Sequence, residues 1–138
     1  MDIEKNNQRD VLICDDDKEI CEILKEYCIG LGYFRNIVMA HDGTMASQKL
    51  RNQEFALILI DINMPKKNGY DLLAEFDESK ANKKENILII SGILEKEITE
   101  KIIRIGVKNV LVKPFDEELF KEKVINILKS NAPSIKTG

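Results

Sequence analysis

Residues 57–65 read Leu57-Ile58-Leu59-Ile60-Asp61-Ile62-Asn63-Met64-Pro65, with Gly69 close behind. Four consecutive aliphatic side chains without polar alternation suit a strand buried on both faces, the habit of parallel sheets covered by helices. The run then ends on a carboxylate. Taking charge out of water is costly unless a metal, a cation or a proton compensates it, so Asp61 at the mouth of a core strand implies compensating chemistry nearby.

Similar runs of Ile, Leu and Val stand at 11–14, 37–40, 87–90 and 110–112. Longer segments of helical period separate them, and strands alternating with helices predict an α/β fold with a parallel sheet between two helical layers. The first helix is expected to bury Ile20, Ile23, Leu24, Tyr27, Cys28 and Leu31 and to stop at Gly30 and Gly32. A second follows Asp42 and Gly43, a third follows Asn68 and Gly69 with Leu72, Leu73 and Phe76 inward, and a fourth carries Ile98, Ile102 and Ile105 up to Gly106. The fifth opens on Asp116, Glu117 and Glu118, which suit the positive end of a helix, and buries Leu119, Phe120, Val124, Ile127 and Leu128.

With 138 residues, 43% of them hydrophobic and 33% charged, the chain fits one domain with one core. A net charge of −3 gives no global attraction to nucleic acid or to an anionic membrane, and no stretch has the length and apolarity of a membrane span. Neither direct nucleic-acid binding nor membrane insertion is expected. Cys14, Cys21 and Cys28 are odd in number and match no zinc spacing, which predicts reduced thiols in a cytoplasmic protein. Cys14 belongs to a buried strand and Cys28 to the apolar helix face, whereas Cys21 falls beside that face and is expected to be exposed. The polar segment 1–9 reads as a flexible lead, 10–130 as the domain, and 131–138 as a flexible tail or truncated linker.

In open parallel sheets, sites form beyond the carboxyl ends of the strands. Those positions hold Asp15, Asp16 and Asp17 after the first strand, Asp61 and Asn63 after the third, Ser91 after the fourth, and Lys113 with Pro114 after the fifth. If Asp15, Asp16 and Asp61 converge within roughly 5 Å, each charged pair repels by about 3 kcal/mol at an effective dielectric of about 20. Such a pocket calls for a cation, and an all-oxygen donor set suits Mg²⁺ better than a metal that prefers His or Cys. A carboxylate beside that cation can act as a nucleophile toward phosphorus, with Lys113 and Ser91 engaging the phosphoryl oxygens. Asp61 is the candidate nucleophile.

Taken singly, each of these residues has a structural explanation. An acidic triplet caps helices, and Asp17 is expected to do so. Asp61 could start a turn, Ser91 could be a loop hydroxyl and Lys113 a surface lysine. Their placement after strands 1, 3, 4 and 5 of one sheet favours the functional reading. His41 lies in the turn after the second strand and is given no role, and Lys66, Lys67, Lys83 and Lys84 read as solvated loop charges.

With Asp15 and Asp16 after the first strand, LILIDINMP through Gly69 at the third, Ser91-Gly92 at the fourth and VLVKPF at the fifth, the chain resembles the receiver domain of two-component response regulators from about residue 11 to 128. The resemblance implies a flavodoxin-like (βα)5 three-layer sandwich with a parallel five-stranded sheet in the order 2-1-3-4-5. It implies that Asp61 takes a phosphoryl group from a sensor histidine kinase or histidine phosphotransfer protein. It further implies that Asp16, Asp61 and the Asn63 carbonyl hold Mg²⁺ with Asp15 acting through water, and that the Lys113–Pro114 peptide is cis. An unrelated aspartyl-phosphate hydrolase would need an acid/base Asp two residues after the nucleophile, where this chain has Asn63, so slow self-hydrolysis is expected in place of conventional enzyme turnover.

One departure from the family pattern concerns signalling. The switch aromatic of the fifth strand is replaced by Val110, so a response to phosphorylation must use residues 92–97 and the fourth helix. The output is expected to be a downstream target bound through the fourth and fifth helices of a stand-alone receiver. The alternatives are a receiver fragment of a longer regulator with a DNA-binding or enzymatic domain, and a phosphate-independent interaction module. Retention of Asp15, Asp16, Asp61, Ser91 and Lys113 argues against the last of these.

Overall fold

Branched residues at alternate positions of each strand divide between the two faces of one sheet. In the computed structural model, which describes residues 9–74, 76 and 82–131, the strands are Asp10–Cys14 (β1), Asn36–Ala40 (β2), Leu57–Asp61 (β3), Ile87–Ser91 (β4) and Asn109–Val112 (β5). The helices are Lys18–Leu31 (α1), Gly43–Asn52 (α2), Gly69–Ala74 (α3), Lys96–Arg104 (α4) and Glu117–Asn131 (α5). All strand pairs are parallel and the sheet order is 2-1-3-4-5, as expected. The expected lead and tail lie outside the described residues, except Arg9 and Asn131.

Val11, Ile13, Leu57, Leu59, Leu88, Ile90 and Leu111 face one layer, where Leu24 and Cys28 of α1 meet Phe120, Val124 and Ile127 of α5. Leu12, Cys14, Ile58, Ile60, Ile87 and Ile89 face the other, against Ala46 of α2, Leu72 and Leu73 of α3, and Ile102 of α4. This period-2 division buries both faces and produces the unbroken aliphatic runs of the sequence.

Side-chain caps fix where the helices begin. The Asp17 carboxylate accepts from the Glu19 and Ile20 amides, Asp42 accepts from Met45, and Asp116 accepts from Leu119. The start of α2 also passes so close to the loop after β3 that a Cβ on Gly43 would collide with the Lys67 carbonyl. Buried Asn82, whose role was not legible in the sequence, donates to the Leu50 and Gln53 carbonyls and accepts from the Phe55 amide, tying the end of α2 to the start of β3.

Four expectations about exposure are corrected. Cys21 is 0% exposed, because the inward stripe of α1 runs through Cys21, Leu24 and Cys28, while Ile23, one residue off that stripe, is 43% exposed. Leu119 is 40% exposed for the same reason, since Phe120 and Val124 centre the buried stripe of α5. Lys84 is not a solvated charge: it is partly buried, and its ammonium donates to the Ile105 carbonyl at 2.7 Å, satisfying a backbone acceptor at the end of α4. All three cysteines are unpaired and buried. Burial pushes the Cys21 and Cys28 thiols up to about 12 and Cys14 higher still, which makes them poor nucleophiles.

Candidate functional site

Adjacent parallel strands bring their carboxyl ends together. In register, Cys14 pairs with Ile60, so Asp15 and Asp61 emerge side by side, and Ser91 pairs with Val112, one residue before Lys113. Asp61 closes β3 and is buried; one carboxylate oxygen accepts from the Asn63 amide at 3.1 Å, and the other meets the Lys113 ammonium at 3.2 Å. Asp15 is buried as well, with Oδ1 accepting from the Asp17 amide at 2.9 Å and Oδ2 buried without a hydrogen-bond partner. Asp16 is exposed at the rim, and one oxygen each of Asp15, Asp16 and Asp61 lie within 4.8 Å of one another.

These three carboxylates, with Asn63, Met64, Pro65 and Lys113, line an open cleft of about 500 Å³. Burial, reinforced by the Asp61 charge, pushes the Asp15 carboxyl well above the usual carboxylate range, against the lowering effects of the Asp17 amide and Lys113. For Lys113, partial burial acts downward, but the Asp61 carboxylate outweighs it and leaves the ammonium more basic than usual. The orphaned Asp15 oxygen and the all-oxygen donor set fit a small hard cation such as Mg²⁺.

Asp15, Asp16, Asp61, Asn63 and Lys113 thus gather around one cleft. Ser91 sits at the neighbouring strand end, but it is buried and its hydroxyl donates to the Gly92 carbonyl at 3.4 Å instead of lining the cleft. The Lys113–Pro114 peptide is cis. Two contacts at the rim were not anticipated. His41 Nδ1 donates to the Asp15 carbonyl at 3.2 Å, and the Cys21 thiol donates to the same oxygen at 3.3 Å, so the β1 end is braced from beneath. Beyond β4, the Glu95 carboxylate accepts from the Gly92 amide at 2.6 Å; a Glu three residues after the start of a turn is a capping pattern that could have marked it.

Comparison with known proteins agrees with this geometry. A family model described as the response regulator receiver domain matches residues 11–125. The transcriptional regulatory protein MalR of Bacillus subtilis is 34% identical over 111 residues, which cover 80% of this chain and 46% of MalR, so the chain spans less than half of that relative. Chemotaxis protein CheY1 of Helicobacter pylori is 31% identical over 122 residues, covering 88% of this chain and 98% of CheY1. Among solved structures, the receiver domain of a Francisella response regulator superposes with a TM-score of 0.75 at 25% identity, covering 89% of this chain and 98% of that one.

Proposed function

The chain belongs to the response regulator receiver family, a signalling family of two-component phosphorelays and not of conventional enzymes, and from that premise we propose that Asp61 is its phosphoacceptor. The observation that supports this most is the meeting of Asp15, Asp16 and Asp61 within 4.8 Å beside the Lys113 ammonium, with one Asp15 oxygen left unpaired.

In the proposed reaction an Asp61 carboxylate oxygen forms a bond to phosphorus as the phosphorus–nitrogen bond of a phosphohistidine breaks. The departing imidazole keeps the electron pair and takes up a proton from solvent. Lys113, held beside Asp61 before transfer, offsets charge on the incoming phosphoryl oxygens, and Ser91 reaches them by rotating its hydroxyl away from the Gly92 carbonyl. Asp16, Asp61 and Asn63, with Asp15, would hold Mg²⁺, which would supply charge neutralisation when bound. Asn63 has no proton to shuttle, so the acyl phosphate decays slowly and serves as a temporary store.

The phosphodonor is a sensor histidine kinase or histidine phosphotransfer protein. A downstream target docks on α4, β5 and α5, where Ile103, Val112 and Leu119 expose apolar surface. A cytoplasmic setting accords with the three unpaired cysteines, and no helix among the described residues is long and apolar enough to cross a membrane. Incubation with Mg²⁺ and acetyl phosphate, read by intact mass, tests the proposal. Wild type gains one phosphoryl group and Asp61→Asn gains none; equal labelling of both, or no gain in wild type while a control receiver is labelled, contradicts it.

A further inference from the structure

The acidic loop after β1 is tied down at Asp15 by four hydrogen bonds. In register, Cys14 pairs with Ala40, so Asp15 and His41 leave the sheet next to each other at the ends of β1 and β2. The Asp15 amide donates to the Ala40 carbonyl at 3.0 Å, and carboxylate Oδ1 accepts from the Asp17 amide at 2.9 Å. The Asp15 carbonyl accepts twice, from His41 Nδ1 at 3.2 Å and from the Cys21 thiol at 3.3 Å. Carboxylate Oδ2 is buried and has no hydrogen-bond partner.

The two side-chain donors come from different elements. Cys21 lies fully buried on the inward stripe of α1, and His41 is half-buried in the turn after β2. Their Sγ and Nδ1 atoms are 3.7 Å apart and reach the same oxygen. A carbonyl can only accept, so Nδ1 carries the ring proton in this contact. A peptide group is planar, so fixing the Asp15 carbonyl also fixes the direction in which the chain enters Asp16. Asp16 is exposed, and the approach of its carboxylate to within 4.8 Å of Asp15 and Asp61 oxygens follows from that direction. Carboxylates held this close repel one another, and the hydrogen bonds at Asp15 keep them in place without a cation.

We propose that His41 is a positioning residue for cation binding: together with Cys21 it fixes the Asp15–Asp16 peptide, so that both carboxylates are set for a divalent cation before it arrives. Without the His41 donor the peptide is free to tilt, and an incoming cation has to restore its orientation. That ordering cost falls on cation affinity, as it does when the groups that orient metal ligands are removed. His41 acts through the Asp15 carbonyl and on neither the cation nor the phosphoryl group. The role rests on the reading of Asp15, Asp16 and Asp61 as a Mg²⁺ site.

The test compares Mg²⁺ affinity of the full chain, by titration calorimetry without a phosphodonor, across substitutions at the two donors. His41→Ala is expected to bind Mg²⁺ about three- to tenfold more weakly than wild type, the scale of one lost hydrogen bond. His41→Asn offers an N–H at the same position along the side chain as Nδ1 and is expected to restore most of that affinity. Cys21→Ala is expected to lose less, because a thiol is the weaker donor. In the metal-free protein, the Asp15 carbonyl carbon resonance is expected to move upfield in His41→Ala and to return towards its wild-type position in His41→Asn. Denaturant unfolding without Mg²⁺ shows that each variant is folded, and Cys21→Ala carries the test should His41→Ala not be. Wild-type affinity in the folded alanine variants, an unmoved Asp15 carbonyl, or equal losses in His41→Ala and His41→Asn would overturn the role of His41 alone. Absence of Mg²⁺ binding by wild type would overturn the metal reading and the role of His41 with it.

Discussion

At Asp15, burial and the neighbouring Asp61 carboxylate act in the same direction, raising its pKa from 3.8 to about 7. A folded-state value above the unfolded one means that this group contributes stability below the unfolded pKa and that the contribution is lost as pH rises through the folded value. A cation reverses the balance by favouring the ionised form, and it must displace the Asp15 proton to do so. The affinity for Mg²⁺, measured by titration calorimetry, is therefore expected to weaken by about tenfold per pH unit below about pH 7. Asp15→Asn is expected to flatten that profile, whereas a wild-type affinity independent of pH through this window would contradict the assignment. Asp61, Asp15, Asp16 and Lys113 were legible as site residues because each follows an aliphatic run. The Glu95 contact with the Gly92 amide was not read, although a Glu three residues after Gly92 fits a capping pattern.

Within elements, the burial pattern separates what packs from what is presented. On α5, Phe120 is fully buried and stacks near Tyr27 and Phe115, with ring centroids 5.5 Å and 6.3 Å away. Truncating it to Ala is expected to cost about 3–5 kcal/mol in denaturant unfolding. On β5, Val112 is half exposed, so Val112→Lys is expected to change stability by no more than about 0.5 kcal/mol. That variant should accept a phosphoryl group normally and lose target binding; normal binding would remove this face from the output. The strands were readable from the sequence because branched runs bounded by Gly, Asp and Asn leave few alternatives. Helix faces were readable only to within one residue, and the same error placed Ile23 inside and Cys21 outside. A rotation of about 100° per residue makes such a slip enough to exchange core for surface.

For the molecule as a whole, the sheet order 2-1-3-4-5 places the ends of β1, β3, β4 and β5 side by side, which gathers three separated sequence segments, those after β1, β3 and β5, into one cleft, with Ser91 of β4 buried at the neighbouring strand end. Helix-to-strand alternation predicts that layering, but it does not supply the contacts that hold the site's rim, such as His41 and Cys21 beneath the Asp15 carbonyl. Val110 packs among the residues of the α2–α4 layer. The most direct test is chemical placement of the phosphoryl group. The phosphorylated protein is reduced with borohydride, which converts an aspartyl phosphate to homoserine, and its peptides are mapped by mass. Homoserine at position 61 and at no other aspartate is the predicted result; homoserine at Asp15, Asp16 or elsewhere, with Asp61 unchanged, would contradict it.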